Sequence, residues 1–479
     1  MPGLFSSLYN AGGALEAFSR VLEVTQNNVA NANTPGYARQ TQRLYAMAFD
    51  PHAGAAGGVR AGEVESARDA FAEYSVRRET ASLGLAQQKA SSLSGLESLF
   101  DISGESGLPY ALNNLFRSFS AWAQSPGDAV ARQTVIERAA DVAQSFRQTA
   151  AGLGRVASEA ASRLRDTVDQ VNRLAANLAD YNRKGIEGAS RDAGLQAQVN
   201  ATLEELAQYV DFTTVQQDDG SVSVLIDGQV PLVLESQQFG LSFDLYQPQD
   251  PPPVYLGAPP SARIVSQGRD ITDAITSGSL GALLDLRNRV LPSYMGDARQ
   301  AGDLNLLAKQ FAGRVNGLLT GGYIADGDPP ETGVPLFVYD TENDTAVAQT
   351  LSIDSGVTAD RLAAIDPGPP AAANGIPLRL SSLASPESAE DEIGGASFAG
   401  FYGQMAARAG SELSAARDDE QVQQSAVAQA QSLRQQMSGV SLDEEAMILV
   451  EFQRAYQANS RLISVLDQLT EETINILQG

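Results

Sequence analysis

Two runs of apolar residues at opposite ends of the chain share one spacing, and that spacing limits the fold more than any other feature. Leu4, Leu8, Ala11, Leu15, Phe18, Leu22, Thr25 and Val29 alternate in steps of four and three. Leu449, Phe452, Tyr456, Asn459, Ile463, Leu466, Thr470, Thr473 and Leu477 do the same. A mean period of about 3.5 residues places each series along one side of a helix and makes a seam for another helix. In the C-terminal run, Ile448, Ala455, Leu462, Leu469 and Ile476 form a second stripe beside the first. That face is too wide for one partner helix. Each well-buried Leu or Ile contributes roughly 1.5–3 kcal/mol, so the two ends are expected to meet each other and further helices as well.

Both terminal helices carry punctuation. In "SGVSLDEEA" Ser441 stands at an N-cap with Glu444 three residues on, a capping-box spacing. Asp443, Glu444 and Glu445 then fall in the first turn, at the positive end of the helix dipole. The N-terminal repeat stops in "NNVANANTPGYARQ", residues 27–40. Asn31 or Asn33 suits the left-handed conformation that ends a helix, and their amides can bond its free carbonyls. Thr34, before Pro35, is pushed toward extended geometry. Pro35 and Gly36 suit a tight turn with Gly at positive φ. Tyr37 supplies an aromatic anchor with a polar tip.

The middle reads as helices interrupted twice. Leu164, Val168, Val171, Ala175 and Leu178 mark one stripe in a polar helical segment from about Val130 to Asn182. Residues 63–99 and 405–437 also read as helical. From residue 210, "VDFTTVQQDDGSVSVLIDGQVPLVLE" alternates apolar and polar residues around two Asp-Gly turns, the pattern of a β-meander. "PQDPPPVYLGAPP", residues 248–260, is an exposed connector. Helical patterns return before and after Pro292, which should kink or interrupt them. Residues 325–395, rich in Pro, Asp and Gly, read as loops with short strands.

The fold class expected is therefore mainly α with β inserts. Residues 1–60 and 440–479 form a coiled-coil-like terminal domain. Residues 61–209, 265–325 and 396–439 form a long-helix bundle. Residues 210–264 and 326–395 form β-rich segments that project outward and are dispensable for contacts between subunits.

Charge supports that layering. The chain of 479 residues has a net charge of −25, which disfavours nucleic acid as a partner. Residues 211–400 carry 9 basic and 25 acidic side chains, net −16, and read as solvated surface. Residues 1–60 carry 4 basic and 3 acidic side chains, net +1, and can be buried in an assembly. Cysteine is absent, which excludes disulfides, a thiol nucleophile and Cys-based zinc sites. No run of 18 apolar residues spans a membrane, and no cleavable secretory signal is visible at the start.

Signs of catalysis are weak. The single histidine, His52, lies in the loop "AFDPHAGAAGG" without a second His or a Cys to assist it, and reads as an exposed loop residue. "DGDPPE", Asp326 to Glu331, spaces carboxylates like part of a calcium loop but lacks its Gly and twelfth-position Glu. Glu444 with Glu445, and Glu471 with Glu472, read as capping or solvated pairs. "GASFAGFYG" holds no nucleophile elbow, and neither a Walker loop nor a dinucleotide turn is present. No enzyme, metal or cofactor is expected.

The physical reading of "VANANTPGY" explains its residue types but not their combination. "NNVANANTPGYARQ" resembles the N-terminal signature of the axial proteins of the bacterial flagellum, the rod, hook and hook-associated proteins. "SGVSLDEEAMILVEFQRAYQANSRLISVLDQLTEETINIL" resembles their C-terminal element. "DDGSVSVLIDGQ" followed by "GSLGALLDLRNRVLPSY" is similar to the middle of a hook-associated member, whereas the likeness over 325–400 is slight. The resemblance implies a structural subunit joining hook to filament, or alternatively another axial protein such as the hook subunit. Its assembly seam would be Leu4, Leu8, Leu15, Phe18, Leu22, Leu449, Phe452, Tyr456, Ile463, Leu466 and Leu477. Asn31, Asn33, Thr34, Pro35, Gly36 and Tyr37 would turn the chain out of the inner layer. Implied partners are copies of itself, the hook protein, a second junction protein (hook-associated protein 3) and an export chaperone at the C-terminal helix. Implied too is an extracellular place on the flagellum, reached through the flagellar type III channel without a cleaved signal peptide.

Overall fold

A computed structural model describes residues 2–50, 55–100, 106–189, 192–217, 219–249, 251–255, 257–325 and 329–478. The chain is mainly helical with β inserts. The first helix, α1 (Pro2–Asn31), leads into a hairpin of β1 (Gln40–Ala46) and β4 (Val59–Ser66), with β2 (Phe49–Asp50) paired to β3 (Ala55–Ala56) near its tip. The last helix, α12 (Leu442–Gln478), packs along α1, and α1 also lies on the hairpin. Asp69 then caps α2 (Ala70–Glu97) by accepting the Ala72 N–H at 2.8 Å.

The body is organised along α4 (Ala129–Lys184), whose 56 residues reach about 84 Å at roughly 1.5 Å each. Against its first half lie α3 (Gly107–Gln124) and α8 (Asp303–Gly321), and the start of α11 (Phe398–Ser438) packs on those two in the same core. Phe311 is the hub of that core, with ring centroids 5.4 Å from Phe398, 5.5 Å from Phe337, and 6.4 Å from both Phe116 and Phe146. Such edge and tilted contacts add to the area that each ring buries.

The second half of α4 buries the stripe Leu164, Val168, Val171, Ala175 and Leu178 in a separate core. There it meets α5 (Ala193–Ala207), α6 (Gly278–Asp285) and two sheets. One sheet runs β5 (Thr213–Gln216), β6 (Val222–Ile226), β7 (Val230–Leu234), β8 (Gln237–Gln238) in antiparallel order. The other is β9 (Leu241–Tyr246), β10 (Ser261–Ser266) and β11 (Arg269–Asp270), with β10 central. Asp227 and Gly228 both take positive φ in the turn between β6 and β7, which the Gln229 N–H closes on the Ile226 carbonyl at 3.1 Å. Pro292 does not break its helix. A π turn, Leu286–Val290, runs directly into α7 (Leu291–Met295), so the proline sits near the start of a new turn where a missing N–H costs little.

The two β-bearing segments do not stand away from the body. Val224, Ile226, Leu232, Val233, Leu241, Ala262 and Ile264 are buried in the same core as the second half of α4. In the later segment β12 (Tyr323–Ala325) pairs with β13 (Glu331–Thr332), and β14 (Phe337–Val338) with β15 (Ser352–Ile353). Between and after them come α9 (Val347–Thr350) and α10 (Gly375–Ser382). Leu336, Phe337, Val347, Leu351, Leu362, Ile376, Leu380, Leu383 and Ile393 all enter the Phe311 core. The expectation is a segment that projects outward over 326–395; residues 336–393 instead contribute side chains to the body's core. The acidic residues face solvent, while isolated apolar residues between the turns point inward. Their spacing is too irregular to show a period.

Replacing residues 333–393 with a short linker therefore strips one side of this core. The expected outcome is loss of cooperative unfolding and a lower midpoint by thermal circular dichroism. Phe311→Ala should destabilise the intact chain by about 3–5 kcal/mol.

Candidate functional site: the joint between the chain ends

The end of α1, the start of β1, the end of α11 and the start of α12 converge on one polar joint. Its centre is Asn28, only 1 % exposed. The Asn28 amide accepts the Gln40 N–H at 2.9 Å and donates to the Gln40 carbonyl at 2.8 Å, so one side chain clamps both backbone groups of the returning strand. The same amide donates to Glu445 Oε2 at 3.1 Å, and its oxygen accepts the Tyr37 hydroxyl at 2.9 Å. Glu445, also 1 % exposed, accepts Arg39 Nε at 2.7 Å on its other oxygen. Arg39 Nη1 reaches Glu444 at 3.0 Å. A buried carboxylate is tolerated because each of its oxygens has a donor and one of those donors is charged.

The chain arrives at this joint by a tight turn. The Tyr37 N–H donates to the Thr34 carbonyl at 3.1 Å, with Pro35 and Gly36 between and Gly36 at φ +72°. That is the turn which Pro followed by Gly favours. Gly36 has a second reason to be glycine. A Cβ there would stand 2.3 Å from the Ala197 carbonyl of α5. Asn31 and Asn33 keep negative φ, so neither ends α1 by the left-handed route. Asn31 instead donates to the Asn27 carbonyl at 3.0 Å and accepts the Thr34 hydroxyl at 3.1 Å, tying the last turn to the loop. Burial, and then the negative charge of Glu445, push the Tyr37 phenol above its ordinary pKa, so it remains a neutral donor.

Two further contacts tie the joint to the body. The Arg39 N–H donates to the Ser438 carbonyl at 3.0 Å, and the Asp69 N–H donates to Ser438 Oγ at 3.0 Å. The two helices that begin and end there, α2 and α11, run antiparallel side by side. Ser441 caps α12 by accepting the Glu444 N–H at 3.4 Å.

The seam residues lie partly between the terminal helices. Leu4, Leu8, Leu15, Phe18, Leu22, Leu449, Phe452, Ile463 and Leu466 are half-buried, and Phe18 meets Phe452 edge-on at 5.7 Å. Tyr456 is exposed, and the side chain of Leu477 lies outside the described residues. The fully buried line of α1 is Ala11, Ala14, Ala17, Val21, Thr25 and Asn28. It is rotated roughly a quarter turn from the seam, because α1 is covered by the hairpin as well as by α12. One helix does not cover α12. Met447, Val450, Leu462, Val465 and Leu469 remain 45–66 % exposed.

Sequence reasoning missed Asn28, Arg39, Gln40 and Glu445, and took Glu445 for a capping or solvated residue. One signal was present. Asn28 continues the line Val21, Thr25 at helical spacing, a polar side chain on a face that otherwise buries small residues. His52 and Asp326 lie outside the described residues. Among the described residues no group of His, Asp or Glu is placed to hold a metal ion, and no helix is long and apolar enough to cross a membrane. The joint is built from hydrogen bonds and the two ion pairs of Arg39. It can hold two helices in register.

The chain is similar to known proteins. A family described as the flagellar hook-associated protein FlgK helical domain matches residues 93–337. The flagellar basal body rod FlgEFG protein C-terminal family matches residues 431–476, and the flagella basal body rod protein family matches residues 8–37. These last two cover the two sides of the joint. Flagellar hook-associated protein 1 of Bacillus subtilis is 28 % identical over 99 % of both chains. Its namesake in Escherichia coli is 24 % identical over 98 % of this chain and all of the relative. The solved structure of the flagellar hook junction protein FlgK from Burkholderia pseudomallei superposes with a TM-score of 0.63. It covers 76 % of this chain and 99 % of its own at 14 % identity, which shows a shared fold.

Asn28→Ala would leave the Gln40 backbone and one Glu445 oxygen without partners, at about 1–3 kcal/mol for each orphaned group. Hydrogen exchange should rise at Gln40 and across residues 28–46 and 442–450, with the Phe311 core unchanged. Unaltered protection in those segments would show that the joint does not depend on this side chain.

Proposed function

The chain belongs to the family of the flagellar hook-associated protein FlgK, and on that premise we propose that it is a structural subunit of the bacterial flagellum that joins hook to filament. The observation that carries this reading is the paired α1 and α12, locked by Asn28 and Glu445, with an apolar stripe still facing outward along α12. Surface of that kind is stabilised when further helices cover it. The subunit works mechanically. Seam residues Leu15, Phe18, Leu22, Leu449, Phe452, Ile463 and Leu466 hold the helix pair, and the outward stripe meets copies of itself and neighbouring axial proteins.

The hook protein on one side and a second junction protein on the other are the neighbours this role requires. An export chaperone over the C-terminal seam before assembly, and passage through the flagellar channel without a cleaved signal, complete the reading. The absence of cysteine suits an unfolded chain threading a narrow channel. A structural role without catalysis fits a joint built from hydrogen bonds and the two ion pairs of Arg39.

Removal of the gene is expected to leave hooks in place, with filaments absent and flagellin released into the medium. Loss of the hook itself would favour a hook subunit instead. A double substitution, Phe452→Asp with Ile463→Asp, places two carboxylates against apolar neighbours at a cost of several kcal/mol. Swimming should be abolished while the thermal midpoint of the body stays unchanged. Normal swimming by this variant would refute the seam.

A further inference from the structure

Beside the joint, and independent of the role just described, a cavity of about 610 Å³ opens between α2, α5, the end of α4 and the β5–β6 hairpin. That volume is in the range of small-ligand pockets. Its wall includes Arg68, Glu73, Tyr74, Arg77, Tyr181 and Thr214.

The charges around it do not balance. Glu73 pairs with Arg68 and also receives Arg434 at 3.4 Å, while Arg434 makes its closer contact, 2.6 Å, with Glu204. Arg68 and Arg434 thus share two carboxylates, and a third guanidinium, Arg77, lines the same cavity. Arg77 is the one left over. Its one hydrogen bond among the described residues is a long one, 3.4 Å, to the neutral hydroxyl of Thr214. Arg68 spends one nitrogen on the Gly36 carbonyl at 2.5 Å, and its Nε is buried without a partner. Burial lowers the pKa of both arginines, the expected sign for cations short of counter-charge. An arginine remains charged even so, and its planar fork is built to grip a carboxylate through two hydrogen bonds.

We propose that this cavity binds a carboxylate group, held by Arg77 in the positive surroundings that Arg68 adds. Two sources share that chemistry: a free carboxylic acid, or an acidic side chain of a second copy of this strongly acidic chain.

Thermal unfolding of the full chain in sodium glutarate, against sodium chloride at matched ionic strength and pH, tests the first source. Glutarate should raise the midpoint by roughly 2–4 °C. Arg77→Gln should remove that difference. Thr214→Asp leaves Arg77 in place and supplies the missing carboxylate from within. It should raise the midpoint in chloride and also remove the response. If glutarate has no effect on wild type, sedimentation reads the second source. Self-association that weakens with salt and is lost in both variants would assign the site to a neighbouring copy. A glutarate response that persists in Arg77→Gln would overturn the proposal. So would the absence of any difference between wild type and the variants in both measurements.

Discussion

The contact on which the structure turns joins residues 417 positions apart. Asn28 near the start and Glu445 near the end share a buried hydrogen bond at 3.1 Å. Everything between them is thereby closed into one loop. The entropic cost of closing a loop rises only slowly with its length, about 0.6 kcal/mol for each doubling. Several hundred residues can thus be inserted between the terminal helices without making their pairing prohibitive. The body must still return the chain to its starting point. The antiparallel α2 and α11 do this, since the first leaves the joint and the second comes back to it.

Polar groups, not apolar ones, fix the register there. A seam of Leu, Ile and Phe tolerates sliding by a helical repeat, because one apolar neighbour resembles the next. Asn28 does not tolerate it, since four hydrogen bonds depend on its position. An unpaired buried carboxylate at Glu445 would be more costly than the pair is stabilising. The ion pair therefore selects one alignment over its rivals. The same logic extends toward the body, where Arg68 links the Gly36 turn to Glu73, and Arg434 links Glu73 to Glu204 on α5. The neck between terminal helices and body is thus a run of charged contacts.

Much of the helical framework could be read directly. Heptad spacing gave α1 and α12, the stripe from Leu164 to Leu178 gave the second half of α4, and Asp227–Gly228 gave a hairpin turn. Each of these signals is local, carried by neighbours within a turn or two. The family signature in residues 27–40 was legible for the same reason, since a Pro-Gly turn and an Asn-rich helix end are written in consecutive residues. Gly36 was read as a turn residue, and its close approach to α5 was not visible, because Ala197 lies 161 positions away.

What the sequence determined by itself was therefore the set of elements and the need of the two ends for helical partners. Periodicity is enough to say that a face must be buried. It does not say against what. Tertiary structure decided that the segment from 329 to 395 lies inside the body rather than outside it, because its apolar residues are scattered one at a time among turns. It also decided that Glu445 is buried and not a solvated capping residue. A carboxylate in the first turn of a helix has the same sequence in either case. Only the arrival of Asn28 and Arg39 from the far end of the chain supplies the donors that make its burial affordable.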